Sequence, residues 1–155
     1  MTTTSMPNVF GEIDSLREIF LEAKKRRPGR HPAHVLVVED DPLTRRIVAH
    51  ALREAYAMIS ACNAQEAVAE YLSYAPDAVF LDIGLPDISG FDVLDQIMKI
   101  DPGAFVVMFS SNDYPENVQR AQAAGAKGFV SKPFKKEDLR NYIQGSSLHH
   151  HKSYA

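Results

Sequence analysis

The sequence predicts a doubly wound α/β fold, in which helices cover both faces of a parallel sheet, and three observations support this prediction. From His34 onward, short apolar segments rich in β-branched residues alternate with segments of helical periodicity. Two of the short segments, Val35–Val38 and Phe105–Phe109, are apolar without interruption, as in strands buried on both faces. The chain has 155 residues, of which 45% are hydrophobic, so it can bury one core but not two full domains.

Five strand segments alternate with five helical segments, which predicts a (βα)5 repeat. The predicted strands are Val35–Val38, Met58–Ala61, Ala78–Leu81, Phe105–Phe109 and Gly128–Val130. Apolar residues at helical spacing follow each strand and predict the buried helix faces. In chain order these faces are Leu43, Ile47 and Leu52; Ala64, Ala67, Val68 and Tyr71; Phe91, Leu94, Ile97 and Met98; Val118, Ala121 and Ala124; and Leu139, Tyr142 and Ile143.

Two helix boundaries carry chemical signals of their own. Asp41 followed by Pro42 is typical of an N-cap and a first-turn proline. Gly125 stands where a helix needs a left-handed residue to stop. Residue chemistry at these boundaries therefore agrees with the periodicity.

Composition and charge exclude several classes of protein. The net charge is −3, and Cys62 is the single cysteine, which disfavours a polycationic nucleic-acid binder and a disulfide scaffold. No apolar run approaches the roughly 18 to 20 residues that cross a membrane, and Met1–Pro7 is polar rather than a signal-peptide core. We therefore expect a soluble cytoplasmic protein that binds neither nucleic acid nor membrane.

Polar residues follow four of the predicted strands, where ligands bind in a sheet of this class. They are Glu39-Asp40-Asp41 after the first strand, Asp82 after the third, Ser110-Ser111 after the fourth and Ser131-Lys132-Pro133 after the fifth. Because the carboxyl ends of parallel strands share one edge, these residues are expected to converge. Any one of these acids alone would be a solvated strand end or a helix cap, and we assign Asp41 to such a cap.

The acidic residues Glu39, Asp40 and Asp82 predict a site for a hard cation. Two carboxylates about 4 Å apart repel each other by roughly 4 kcal/mol at an effective dielectric constant near 20, so a fold keeps them together mainly for a cation or a proton. Oxygen ligands without His or Cys suit Mg²⁺. An ionised carboxylate can also accept a phosphoryl group, and Asp82 is the best candidate because it stands alone at a central strand end. Ser110 and Lys132 supply the donors and positive charge that phosphoryl transfer needs.

Taken together, these motifs resemble the receiver domains of two-component response regulators. The segments that carry the resemblance are Val35–Pro42, Phe80–Phe91, Ser110-Ser111 and Gly128–Phe134, which occur in the family's order and at its spacings. The resemblance spans about His34 to Gln144. It implies a flavodoxin-like sheet with strand order 2-1-3-4-5.

The resemblance also implies a role for each matching residue. Glu39 and Asp40 match the acidic metal ligands, Asp82 the phosphoacceptor, and Gly84 the residue whose backbone carbonyl binds the metal. Ser110 matches the switch hydroxyl, and Phe129 matches the aromatic residue that moves inward on activation. Lys132 matches the family's lysine, which is often followed by a cis peptide, here to Pro133. Gly84 and Asn112 depart from the family's common pattern. They occupy the two positions beside the phosphate whose side chains often govern autodephosphorylation, and glycine has no side chain there to orient or block water.

The two ends of the chain lie outside this resemblance. Residues 1–33 are predicted to form an amphipathic helix from about Asn8 to Arg27 and a linker, with an apolar stripe of Val9, Ile13, Leu16 and Phe20. This stripe is expected to pack on its own domain, to form a dimer or to bind a partner, and so to regulate assembly rather than phosphate chemistry. The basic run Lys24–Arg27 is interpreted as capping of its own helix. Residues 145–155 are a polar tail with His149–His151, interpreted as a solvated tail or an expression remnant.

The leading hypothesis is a stand-alone response regulator without enzymatic output that assists its own phosphorylation and dephosphorylation. It is expected to accept a phosphoryl group on Asp82 from a histidine kinase or histidine phosphotransfer protein, with Mg²⁺, and to signal through protein contacts. A phosphorylation-independent interaction module is the alternative. An aspartyl-phosphate phosphatase is disfavoured because it needs an acid where Gly84 stands, and a nucleotide or flavin binder is disfavoured because Glu39–Asp41 would repel its phosphate.

Overall fold

A computed structural model describes residues 9–144, which form a five-stranded parallel sheet of order β2-β1-β3-β4-β5. The strands are β1 His34–Val38, β2 Ala57–Ala61, β3 Ala78–Asp82, β4 Val106–Ser110 and β5 Gly128–Ser131. The helices are α1 Ile13–Lys24, α2 Pro42–Leu52, α3 Ala64–Tyr74, α4 Gly90–Ile100, α5 Pro115–Ala123 and α6 Lys136–Gln144. The predicted flavodoxin-like fold, its strand order and the additional N-terminal helix are confirmed.

The sheet register brings the polar strand ends to one edge. Val38 lies opposite both Ala61 and Leu81, so Glu39 and Asp82 follow neighbouring positions on adjacent strands. Asp82 lies opposite Phe109, and Ser110 lies opposite Ser131. The residues that follow β1, β3, β4 and β5 therefore meet at the carboxyl edge.

Both faces of the sheet are buried, as the uninterrupted apolar strands predicted. One core cluster contains Leu36, Val38, Leu81 and Met108 together with side chains of α1, α3 and α4. The other contains the alternate strand residues Val35, Val37, Phe80, Val107 and Phe109, with side chains of α2 and α6. Successive strand residues thus enter opposite layers, which is the alternation of a pleated strand.

The predicted buried face of α2 was wrong in part. Leu43 and Ile47 are 64% and 49% exposed, and the residues that α2 buries are Val48, Ala51 and Leu52. A helix advances about 100° per residue, so Leu52 lies about 140° around the helix from Ile47 and cannot share its face. Asp41 caps α2 as predicted, and its carboxylate accepts hydrogen bonds from the backbone N–H groups of Leu43 and Thr44.

The N-terminal helix packs on its own domain, the first of the predicted alternatives. Helix α1 begins at Ile13 rather than near Asn8, which lies outside the described residues, so Val9 precedes the helix although it is fully buried. Leu16 and Phe20 enter the core between α3 and α4, and the Phe20 ring stacks on Tyr71 with centroids 5.5 Å apart. The predicted apolar stripe is therefore covered within one chain.

The basic residues after α1 cap a neighbouring helix rather than their own. Helix α3 has no basic residue in its last turn and ends at Ala75, which has a left-handed φ of 43°. Arg27 donates to the carbonyls of Ala75 and Pro76 at 2.8 and 2.9 Å, and Arg30 donates to those of Tyr74 and Ala75 at 2.8 and 3.0 Å. The carbonyls of Tyr74 and Ala75 lie at the negative end of α3, so the two arginines supply hydrogen bonds to these carbonyls and positive charge near the helix dipole.

Within residues 9–144, no helix is long and apolar enough to cross a membrane. The predicted histidine tail, His149–His151, lies outside the described residues. Gly125, predicted to stop a helix, has a φ of +105° one residue beyond the C-cap of α5.

Replacing Phe20 by Ala should strongly destabilise the domain. Phe20 is 1% exposed and stacks on Tyr71, so the variant leaves a cavity, and a loss of about 3–5 kcal/mol in the free energy of unfolding is expected. Urea unfolding measures this loss. The neighbouring Ile19→Ala is the control, because Ile19 is 43% exposed. Equal midpoints for the two variants would show that α1 does not pack as described.

Candidate functional site

Three carboxylates converge at the carboxyl edge of the sheet. Glu39 and Asp40 follow β1, and Asp82 ends β3, its neighbour in the sheet. One oxygen from each of the three lies within 4.8 Å of the others. Glu39 and Asp82 are 2% and 6% exposed, whereas Asp40 is open to solvent. The structure therefore assembles the acidic cluster that the strand-end residues predicted.

Lys132 extends from the end of β5 into this cluster. Its Nζ lies 2.7 Å from Oε2 of Glu39 and 3.3 Å from Oδ2 of Asp82. The backbone N–H of Lys132 donates to the carbonyl of Ser110, and the ammonium group lies 4.8 Å from the centre of the Phe109 ring. The peptide bond to Pro133 is cis, as the resemblance implied. The long side chain thus spans the edges of β4 and β3 to reach both buried acids.

Burial and charge shift the proton affinities of this pair. Burial raises the pKa of the Glu39 carboxyl; the hydrogen bond from Lys132 opposes that rise, the Asp82 carboxylate adds to it, and the pKa remains raised. Burial lowers the pKa of Lys132, but the hydrogen bond from its ammonium to Glu39 and the charges of Asp82 and Glu39 outweigh burial and leave it raised. Lys132 therefore stays cationic at neutral pH.

The donor set of the cluster fits a hard divalent cation. When ionised, the three carboxylates carry three negative charges, and Lys132 offsets one of them. The available donor atoms are carboxylate oxygens, without a His or Cys side chain among the residues that the structure groups there. Mg²⁺ prefers this chemistry. Glu39, Asp40 and Asp82 can thus hold Mg²⁺.

The loop after β3 places a glycine close to Asp82. The N–H of Gly84 lies 3.4 Å from Oδ1 of Asp82. A Cβ built on Gly84 would meet no atom within 4 Å, so the position has open space around it. Glycine adds no side chain at this position, and the Asp82 residue itself is buried.

Gly90 and Asp87 hold this loop in place, a role that the sequence did not predict. The N–H of Gly90 donates to the carbonyl of Ile83 at 2.7 Å, and a Cβ on Gly90 would collide with the carbonyl oxygen of Asp82. The carboxylate of Asp87 accepts hydrogen bonds from the first two N–H groups of α3, at 2.9 and 3.1 Å. A glycine directly after an N-cap serine was the available signal for a close backbone approach.

Ser110 lies at the same edge but does not bind the acidic cluster. It is the last residue of β4 and is 4% exposed, and its Oγ accepts a hydrogen bond from the N–H of Asn112 at 3.1 Å. Because the hydroxyl acts there as an acceptor, its own hydrogen remains able to donate.

Phe129 lies in β5, away from the carboxylates. Its side chain is half-buried against the core, and its carbonyl accepts a hydrogen bond from the Tyr142 hydroxyl at 3.3 Å. It lines a cavity of about 270 Å³ between α5, β5 and α6. The structure therefore places Phe129 beside a surface cavity and not among the charged residues.

Comparison with known proteins identifies relatives of this chain. The family model for the response regulator receiver domain matches residues 35–144, more than half of the chain. The chemotaxis protein CheY of Halobacterium salinarum is 34% identical over 70% of this chain and 92% of its own length. The probable transcriptional regulatory protein TcrX of Mycobacterium tuberculosis is 36% identical over 74% of this chain. The chain spans only 49% of the length of TcrX.

Solved structures share the same fold. The CheY-like response regulator receiver domain protein of Methanospirillum hungatei has a TM-score of 0.72 at 27% identity, covering 79% of this chain and 98% of that one. A chain of the CheX–CheY complex of Borrelia burgdorferi, which contains BeF3 and Mg²⁺, has a TM-score of 0.70 at 29% identity. That match covers 72% of this chain and 87% of the other.

Replacing Gly90 by Ala should displace the loop that carries Asp82. The added methyl group meets backbone atoms, which cannot rotate away, so a loss of about 1–3 kcal/mol in unfolding free energy is expected. Urea unfolding measures it. Gly103→Ala is the control, because the nearest atom to its Cβ is Asp101 Oδ1 at 3.6 Å, an ordinary contact. If Gly90→Ala were as stable as Gly103→Ala, the close approach of α4 to β3 would be wrong.

Proposed function

The chain belongs to the response regulator receiver domain family, and on that premise we propose that Asp82 accepts a phosphoryl group and so switches the protein's contacts with a target. The observation that carries the proposal is the convergence of Glu39, Asp40 and Asp82 with Lys132 at one sheet edge. Phosphorylation of an aspartate is general for this family. In this chain, metal binding, phosphoryl transfer and the response to phosphate are each assigned to named residues.

Asp82 has the position that a nucleophile requires. Its carboxylate stands at the end of a central strand, where the N–H of Gly84 lies beside it and no side chain extends from Gly84. In the proposed transfer, a carboxylate oxygen of Asp82 bonds to phosphorus while the P–N bond to the donor histidine breaks. The electron pair of that bond remains on the imidazole nitrogen. The product is an acyl phosphate, which water can later hydrolyse.

The proposed metal ligands are Glu39, Asp40, Asp82 and the backbone carbonyl of Gly84. Bound Mg²⁺ would supply positive charge to the phosphoryl oxygens as negative charge develops on them. The carboxylate donor set of this chain supports this assignment, as does the Borrelia burgdorferi complex, which contains Mg²⁺. Glu39 and Asp40 thereby orient the cation beside the nucleophile.

Lys132 and Ser110 are proposed to sense the new phosphate. The Lys132 ammonium lies 3.3 Å from Asp82, so a phosphoryl group added there would attract it away from Glu39. The Ser110 hydroxyl, which retains a hydrogen to donate, would then bond the same group. Phe129 on β5 would respond to the movement of Ser110 on the adjacent strand. This sequence of contacts links the chemistry to the surface between α5 and α6.

The proposed phosphodonor is a histidine kinase or a histidine phosphotransfer protein in the cytoplasm, and the output is a protein contact. A role as a stand-alone regulator is supported by the chemotaxis protein CheY of Halobacterium salinarum, of which this chain covers 92%. Helix α1 buries its apolar stripe within the chain. A dimer formed through this helix would therefore have to use its outer face, where Ile19 and Leu21 are exposed.

Asp82→Asn should abolish phosphorylation without unfolding the domain. The substitution removes the nucleophilic carboxylate while keeping its shape. Incubation with acetyl phosphate and Mg²⁺, followed by intact-mass measurement, should show the phosphoryl adduct on the wild type and none on the variant. Asp92→Asn is the matched control, since Asp92 is an exposed acid of α4 and should label normally. Equal labelling of Asp82→Asn would overturn the assignment, and an unlabelled wild type would favour a phosphorylation-independent module.

Asp40→Asn should weaken Mg²⁺ binding while leaving the metal-free fold as stable or more stable. The variant removes one proposed ligand charge and also relieves repulsion within the acidic cluster. Calorimetric titration with Mg²⁺ and thermal unfolding without it measure the two effects. Asp41→Asn removes the same charge one residue away, and Asn is an equally good N-cap, so it serves as the control. An unchanged titration for Asp40→Asn would exclude it as a ligand.

A further inference from the structure

The loop between β1 and α2 carries two of the three clustered acids and also two backbone carbonyls that Arg45 binds. Nη1 of Arg45 lies 2.7 Å from the carbonyl oxygen of Glu39 and 3.0 Å from that of Asp40. Since Nη1 bears two hydrogens, it can donate one to each carbonyl. Arg45 lies near the start of α2, so a residue of the helix that follows the loop hydrogen-bonds the loop backbone.

The three acids differ in how their carboxylates are held. Glu39 accepts hydrogen bonds from Lys132 Nζ and from the N–H of Asp41, at 2.7 and 3.1 Å. Asp82 lies within hydrogen-bond distance of Lys132 Nζ and the N–H of Gly84. Asp40 is exposed, and across residues 9–144 no hydrogen bond to its carboxylate is described. The direction of the Asp40 side chain therefore depends on its backbone, which Arg45 holds.

The charge of Arg45 is placed where it does not compete with a cation. Lys132 forms ion pairs with Glu39 and Asp82, so its ammonium occupies part of the cluster. Arg45 instead binds backbone oxygens, and among the described residues it forms no ion pair with the clustered carboxylates. Its guanidinium can thus order the loop and leave the carboxylate oxygens available.

We propose that Arg45 is a positioning residue for the divalent cation, acting through the backbone of Glu39 and Asp40. The proposal rests on the proposed function, because it concerns the same cation site. Arg45 touches neither the phosphoryl group nor the cation. Its loss should therefore affect the affinity for Mg²⁺ and not the maximal rate once Mg²⁺ saturates the site.

The test compares two neighbouring arginines of α2. Arg45→Met keeps the aliphatic stem but removes the donors and the charge, and Arg45→Ala removes the stem as well. Arg46→Ala removes the same charge one residue away, from an exposed arginine that makes no described hydrogen bond or ion pair with residues 9–144. Circular dichroism first confirms that each variant is folded. The Kd for Mg²⁺ is then measured by calorimetry, and phosphorylation by acetyl phosphate is followed over a Mg²⁺ series.

Both Arg45 variants should raise the Kd for Mg²⁺ by about tenfold or more, the size of effect typical for groups that orient metal ligands. Their maximal phosphorylation rates should match that of Arg46→Ala, with only the half-saturating Mg²⁺ concentration increased. Arg46→Ala should bind Mg²⁺ like the wild type.

Two results would overturn the role of Arg45. One is an Arg45→Met variant that binds Mg²⁺ as Arg46→Ala does; the other is a fall in maximal rate with unchanged Mg²⁺ affinity. Failure of the proposed function gives a different pattern, because the wild type itself would then bind no Mg²⁺ or take no phosphoryl group at Asp82.

Discussion

Electrostatic repulsion among Glu39, Asp40 and Asp82 is the constraint that the surrounding structure accommodates. A pair of carboxylates about 4 Å apart repels by roughly 4 kcal/mol at an effective dielectric near 20, and two of these three are nearly inaccessible to water. Lys132 offsets part of that repulsion through ion pairs at 2.7 and 3.3 Å. The remaining excess of negative charge makes the edge receptive to a divalent cation and sensitive to a further anionic group. In the proposed function, the same imbalance would underlie both the affinity for the metal and the response to phosphate.

Residues outside the cluster maintain its geometry through backbone contacts. Gly90 allows α4 to approach the carbonyl of Asp82, and Asp87 binds the loop after β3 to the first turn of α3. Arg45 holds the loop after β1 by its carbonyls. Each of these contacts restrains backbone peptide groups and does not involve the carboxylates of Glu39, Asp40 and Asp82. The charged side chains therefore remain available for chemistry while their main chain is restrained.

The sequence predicted the sheet and the acidic edge well, because uninterrupted apolar strands imply parallel packing and parallel strands bring their carboxyl ends together. It predicted the faces of α2 poorly, since Leu43 and Ile47 are apolar yet lie outside. The spacing of apolar residues shows that one face of a helix is apolar, but it does not show which element covers that face. For the same reason it left the packing of α1 open. The roles of Arg27 and Arg30 depend on the end of α3, more than 40 residues away, and no local pattern encodes such a contact.

The packing of α1 on α3 and α4 has a consequence for how the chain folds while it is being synthesised. Helix α1 precedes α3 and α4 in the chain and is only 12 residues long, too short to be stable alone in water. The hydrogen bond between Val9 and Gln96 joins residues 87 positions apart, so at typical translation speeds the partner follows after roughly 4 to 17 s. Leu16 and Phe20 pack on side chains of α3 and α4, so they lack these partners until both helices have been synthesised. Helix α1 is thus made before the helices that cover it, and its apolar side chains stay exposed until those helices follow.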